Sequence, residues 1–94
     1  MGRRRFDHLV VELSLALGES VPRYRLWLRI HEEGFDPEWL ARSQALAFCE
    51  APLERFLEEL GLELRPRHLR RLRRAVDRFD PEILRPYERI AESS

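Results

Sequence analysis

The sequence predicts an all-α fold, a compact bundle of about six short helices forming one domain. Three observations carry that expectation. Apolar residues recur at helical spacing throughout, and no stretch alternates like a half-buried strand. Proline and glycine bracket each periodic segment at the positions that start and stop helices. The chain also nearly repeats itself. Residues 22–40 (PRYRLWLRIHEEGFDPEWL) and 66–84 (PRHLRRLRRAVDRFDPEIL) share nine of nineteen positions at a constant offset of 44. The repeat divides the domain into two related three-helix halves, 6–49 and 50–91, preceded by a basic segment, 1–5, expected as a mobile arm.

In the first helix Phe6, Leu9, Val10, Leu13, Ala16 and Leu17 share a face, and Gly18 is placed to end it. A second helix is expected from Pro22 to Gly34, with Ser20 as its cap. Asp36-Pro37-Glu38 predicts the start of a third. Aspartate accepts from free N–H groups, proline loses nothing at the first helical position, and glutamate suits the positive end of the dipole. That helix is expected to carry Leu40, Ser43, Leu46, Ala47 and Glu50 on successive turns, with Pro52 ending or kinking it.

Leu53, Phe56, Leu57 and Leu60 predict a short fourth helix closed by Gly61. Pro66 opens a fifth, with a core face of Leu69, Leu72, Val76 and Phe79. Asp80-Pro81-Glu82 opens a sixth, carrying Ile83, Leu84, Tyr87 and Ile90. The connections are short, which favours antiparallel neighbours.

With 94 residues, 44% of them apolar and 36% charged, the chain is too apolar for disorder and long enough for a thin core. Every basic residue besides histidine is arginine, there is no Lys, Asn or Thr, and the formal net charge is zero. Cys49 is the single cysteine, so no intramolecular disulfide can form, and at an apolar position it reads as a small core residue. Arg3-Arg4-Arg5-Phe6 resembles a twin-arginine signal, but Asp7, His8 and Glu12 interrupt the apolar stretch such a signal needs. No apolar run approaches the roughly 20 residues that span a bilayer. A cytoplasmic protein without membrane contact is expected.

The two copies differ where Leu26, Trp27 and Ile30 align with Arg70, Arg71 and Arg74. The second helix is therefore either surrounded by its neighbours or shows an apolar patch to a partner. The fifth helix carries the strongest charge pattern. Residues 65–78 hold seven Arg against one Asp, a net of +6, whereas residues 32–63 hold nine acidic and two basic side chains, a net of −7. At about 100° per residue Arg67, Arg71, Arg74 and Arg78 form one row about 16 Å long, with Arg70 beside it, and Leu69, Leu72, Val76 and Phe79 opposite. Such a row meets two or three phosphates. It equally suits pairing with the acidic segment, within the chain or in a second copy, and a neutral chain lacks the basic excess usual for nucleic-acid binding.

A helix-turn-helix reading of the fourth and fifth helices fails. The turn from Gly61 to Arg65 is too long before Pro66, and Arg67 stands where that motif wants an apolar residue.

No catalytic constellation is visible. His8, His31 and His68 are scattered and, with Cys49, lack zinc-ligand spacing. Glu32-Glu33 and Glu58-Glu59 are adjacent in sequence and so diverge on a helix. Neither Asp-Pro-Glu continues as a calcium loop, and no phosphate loop or nucleophile elbow occurs. No cofactor or metal is expected. The expected function is that of a small non-enzymatic interaction or regulatory protein that binds a protein partner or itself as a homodimer. Trp27, Ile30, Arg67, Arg70, Arg71, Arg74 and Arg78 are the candidate contacts, and nucleic-acid binding by the arginine row is the alternative.

Overall fold

The computed structural model describes residues 3–81, which are helical with no strand among them. Five α-helices run in order: α1 Arg3–Leu17, α2 Arg23–Glu32, α3 Arg42–Phe48, α4 Ala51–Leu60 and α5 Pro66–Arg78, with a single 3₁₀ turn, Pro37–Trp39, before α3. Helix α1 is the spine. It lies against α5 along much of its length and also touches α2, α3 and the 3₁₀ turn, while α3 bridges α4 and α5. Phe6, Leu9 and Leu13 of α1 meet Leu26 and Ile30 of α2, Phe48 of α3, Leu53 and Phe56 of α4, and Leu72 and Val76 of α5 in one core.

The helix ends follow their local chemistry. Gly18 and Gly61 adopt left-handed φ of +76° and +73°, a region costly for any residue with a Cβ, and so close α1 and α4. Ser14 fastens the first turn from the side: its hydroxyl donates to the Val10 carbonyl at 2.8 Å and accepts the Val21 N–H at 3.2 Å. Ser20, expected as the cap of α2, is exposed and caps nothing; Pro22 occupies the N-cap position without a side-chain bond. Pro22 has no N–H, and the hydroxyl that serves this turn is already supplied by Ser14.

The expected third helix is two elements. Asp36 caps as predicted, accepting the Glu38 N–H at 2.9 Å, but the turn it starts lasts only through Trp39. Leu40 and Ala41 are then extended, and α3 starts afresh where the Gln44 side chain accepts the Ala41 N–H at 3.1 Å. The restart changes the inward face. Ala45, Phe48 and Cys49 are buried and Leu46 is half-buried, whereas Ala47 and Glu50 of the expected stripe are exposed. Pro52 neither ends nor kinks a helix; it sits in the first turn of α4, where a missing N–H costs nothing.

Residues 3–5 are not a separate arm, because Arg3 begins α1 and Arg5 is buried, with its guanidinium 5.6 Å from the centre of the Phe79 ring. Burial, with the nearby charge of Arg42, holds the Arg5 pKa below its usual value. Phe79 is half-buried and stacks on His8 at 4.1 Å, so it closes the end of α5 against α1 rather than joining the core. The expected sixth helix lies outside the described residues beyond Asp80-Pro81.

Candidate interaction surface

The structure separates the candidate contacts. Ile30 is completely buried and Leu26 with it, so both belong to the core. Trp27 is half-buried, stacks on His31 at 5.5 Å and directs its indole N–H to the Glu38 carboxylate at 3.4 Å. Helix α2 is not surrounded, since Arg23, Tyr24, Arg25, His31 and Glu32 are exposed, but Leu26 and Ile30 of its apolar side are spent on the core. Trp39, by contrast, is 69% exposed.

All five arginines of the α5 group, Arg67, Arg70, Arg71, Arg74 and Arg78, are exposed. Leu72 and Val76 anchor the opposite side of the helix, so the row points directly away from the core. None of the five makes an ion pair or hydrogen bond among the described residues. The acidic segment is answered elsewhere. Glu59 pairs with Arg29 of α2, Glu33 with Arg55 at 3.2 Å, and Glu50 with Arg73, which lies outside the row. Asp77, the one acid of α5, is held by Arg42 of α3 through two N–H groups at 2.6 and 3.0 Å.

These pairs shift titrations where contact is close. The hydrogen bond from Arg29 holds the Glu59 carboxyl below its usual range, and the same bond raises the Arg29 pKa. The row therefore does not neutralise the acidic segment within the chain, which was one reading of the sequence.

Between α4 and α5 lies a groove of about 700 Å³. Leu53 and Leu57 of α4, Leu62 and Leu64 of the connection, and Leu69 of α5 line it. Its α4 edge carries Glu54 and Glu58, with Glu63 in the connection; these side chains form no ion pair or hydrogen bond among the described residues. Its α5 edge is Pro66, Leu69 and Arg73, and Arg73 is paired with Glu50. The unpaired charge at the groove is acidic, its floor is leucine, and the arginine row lies on the outer side of α5.

The groove was beyond sequence reasoning, because it depends on how far α4 and α5 stand apart. Its acidic edge had a signal in the charge of residues 32–63, but nothing in that run singles out Glu54, Glu58 and Glu63 from the carboxylates consumed by pairs.

The remaining polar chemistry is sparse. Cys49 is buried beside the groove, and burial pushes its thiol up to about 12, so it stays protonated and unreactive near neutral pH. No three His, Cys, Asp or Glu side chains gather as metal ligands among the described residues. No described helix is long and apolar enough to cross a membrane.

Comparison with protein-family models, with curated proteins and with solved structures finds no match to this chain.

Proposed function

We propose that this chain is a small non-enzymatic interaction protein whose working surface is the face formed by α4 and α5. The observation that supports this reading is unpaired charge of opposite sign on this part of the surface, carboxylates at an open apolar groove and arginines on the outer side of α5. Glu54, Glu58 and Glu63 and the five arginines of the row lack partners among the described residues, while Glu50, Glu59, Arg73 and Asp77 nearby are paired. Exposed charge held in one orientation by a rigid helix favours complementary partners and suppresses wrong ones, and a leucine floor gives apolar area to bury.

One observation favours a second reading, nucleic-acid binding. Arg67, Arg71, Arg74 and Arg78 stand in an outward row free of carboxylates among the described residues, which leaves each guanidinium available to a phosphate.

The test is a titration of labelled duplex DNA, RNA, polyglutamate and polyarginine against the protein at about 50 and 200 mM salt. Two charge-reversal variants accompany it, Arg71→Glu with Arg74→Glu and Glu54→Arg with Glu58→Arg. Binding of a polyanion lost only in the first variant, or of the polycation lost only in the second, supports an interaction face here. DNA or RNA bound far more tightly than polyglutamate, with affinity falling tens-fold between the two salt concentrations, moves the assignment to nucleic acid. Failure of all four ligands at low salt overturns both.

A further inference from the structure

We infer that the groove between α4 and α5 receives a basic amphipathic helix of another protein. The inference rests on the proposed interaction face and adds the chemistry of the partner at its acidic groove. Two features of the lining carry it. Leu62, Leu64 and Leu69 pack on the core yet stay half-buried, so the fold leaves part of three leucines uncovered in one place. The free charge beside them is all of one sign. Glu54 and Glu58 stand one turn apart on α4, Glu63 follows in the connection, and all three are exposed. The one arginine of the lining, Arg73, is already engaged by Glu50.

A fitting partner therefore brings apolar area and positive charge together. A plain polycation answers the carboxylates but leaves the leucines in water. A nucleic acid or an anionic membrane surface meets like charge at all three glutamates. An extended peptide would lay its backbone N–H and C=O groups over leucine, and no strand among the described residues offers an edge to pair them. A helix satisfies its own backbone and presents side chains only, which is how amphipathic helices fill apolar grooves. The dimensions agree. The α4 wall runs the ten residues of Ala51–Leu60, about 15 Å or nearly three turns. Glu54 and Glu58 are about 6 Å apart along the axis, the spacing of two basic residues one turn apart on a helix lying alongside.

The described part of this chain offers no such helix to a second copy. Its arginine row lies on the outer side of α5, while Leu72 and Val76 of that helix are buried. Its exposed apolar pair at helical spacing, Val11 and Leu15, has Glu12 and Glu19 near it in sequence rather than arginine. The partner is accordingly a different protein, with apolar residues at i, i+4 and i+7 and arginine or lysine on the flanks.

Two labelled peptides of about fifteen residues test this, equal in leucine, arginine and glutamine content, one amphipathic as a helix and one scrambled. In fluorescence anisotropy with the full chain, the amphipathic peptide is expected to bind at least about tenfold more tightly, and to weaken between about 50 and 200 mM salt. Far-UV circular dichroism of the mixture is expected to show more helix than the sum of its parts. Glu54→Arg with Glu58→Arg is expected to abolish this binding. Leu62→Ser with Leu64→Ser is expected to weaken the peptide about tenfold and to leave polyarginine binding unchanged. Circular dichroism of each variant alone confirms that it is folded.

Equal affinity for the two peptides, or binding without a gain of helix, overturns the inference. If polyarginine still binds and responds to charge reversal, the face stands and only its partner is wrong. If neither peptide nor polyarginine binds, the acidic groove is no interaction site at all. Self-association of the protein alone, lost in the glutamate variant, overturns the inference in favour of a second copy. Peptide binding that appears only after Arg85→Glu with Arg89→Glu overturns it in favour of this chain's own residues 82–94, where Ile83, Tyr87 and Ile90 alternate with those arginines.

Discussion

Helices α2 and α5 lie in two stretches that share nine of nineteen residues at an offset of 44, and the fold uses them from nearly opposite sides. In α2 the buried residues are Leu26 and Ile30. The aligned residues of α5 are Arg70 and Arg74, both exposed, and α5 buries Leu72 and Val76 instead. At 100° per residue the two buried faces are about 160° apart in the common register. The identities nonetheless have a common use. Pro22 and Pro66 stand at helix starts, and Arg29 and Arg73 each reach a carboxylate at one end of α4. Shared residues set where a helix begins and what its flank touches, while the differing residues decide which side faces the core. The side of α5 thereby released from the core is the side that carries the unpaired arginines.

The contrast breaks most visibly if the aligned residues are exchanged. Ile30→Arg puts a guanidinium into a site with no exposure and no carboxylate waiting for it. The loss is expected to exceed about 4 kcal/mol, enough to unfold a small domain. Arg74→Ile changes an exposed position and is expected to move stability by no more than about 0.5 kcal/mol. Urea unfolding followed by tryptophan fluorescence measures both, and comparable losses at the two sites would show that the helices do not face as described.

Leu28 and Leu72 are identical in the two copies and sharpen the comparison. Leu72 is 1% exposed, and Leu72→Ala is expected to cost about 3 kcal/mol. Leu28 is half-buried, and Leu28→Ala is expected to cost about 1 kcal/mol. Equal costs would mean that the shared leucine plays one role in both helices.

Much of this architecture was legible in the sequence, and the limits of that reading have physical causes. Helix starts and stops depend on local chemistry, so Asp36, Pro66, Gly18 and Gly61 announced them correctly. The third helix was misread because competition between two starts is settled over a few residues. Asp36 begins a turn, yet Gln44 offers Ala41 a second start, and the register of everything after it moves. Ser20 failed as a cap because Ser14, seven residues before Val21, reaches the same turn through space. For the surface, the arginine row was readable from spacing alone. Its freedom from ion pairs was not, since Arg29, Arg55 and Arg73 reach the acidic segment only once the helices are packed.

Inward and outward positions also differ in how they titrate. Cys49 is buried at the end of α3, and its thiol is pushed up to about 12 from an ordinary 9.0. The folded state thus holds its proton more tightly than the unfolded chain, so the contribution is intact below pH 9 and is lost as pH rises from 9 towards about 12. A thiol reagent at about pH 8 is expected to label Cys49 only at the rate of unfolding, and to label it at once in urea. Immediate labelling of the native protein would place the end of α3 at the surface.

The smallest expected effect separates the two arginines that the copies share. Arg29 holds Glu59 by a hydrogen bond that keeps this carboxyl below its ordinary 4.5. A carboxyl lowered on folding stabilises above its unfolded value, and that contribution fades as pH falls through 4.5 and below. Arg29→Gln is therefore expected to lower Tm slightly near neutral pH, by a difference that shrinks as pH falls below 4.5 and is reduced by salt because Glu59 lies in solvent. Arg73 reaches Glu50 too, but it also donates to the Cys49 carbonyl at 3.3 Å, an acceptor that does not titrate. The Tm loss in Arg73→Gln is expected to persist in part at about pH 3. Matching pH profiles for the two variants would make the flanking arginines equivalent, and the two helices would then agree at this position as closely as their sequences do.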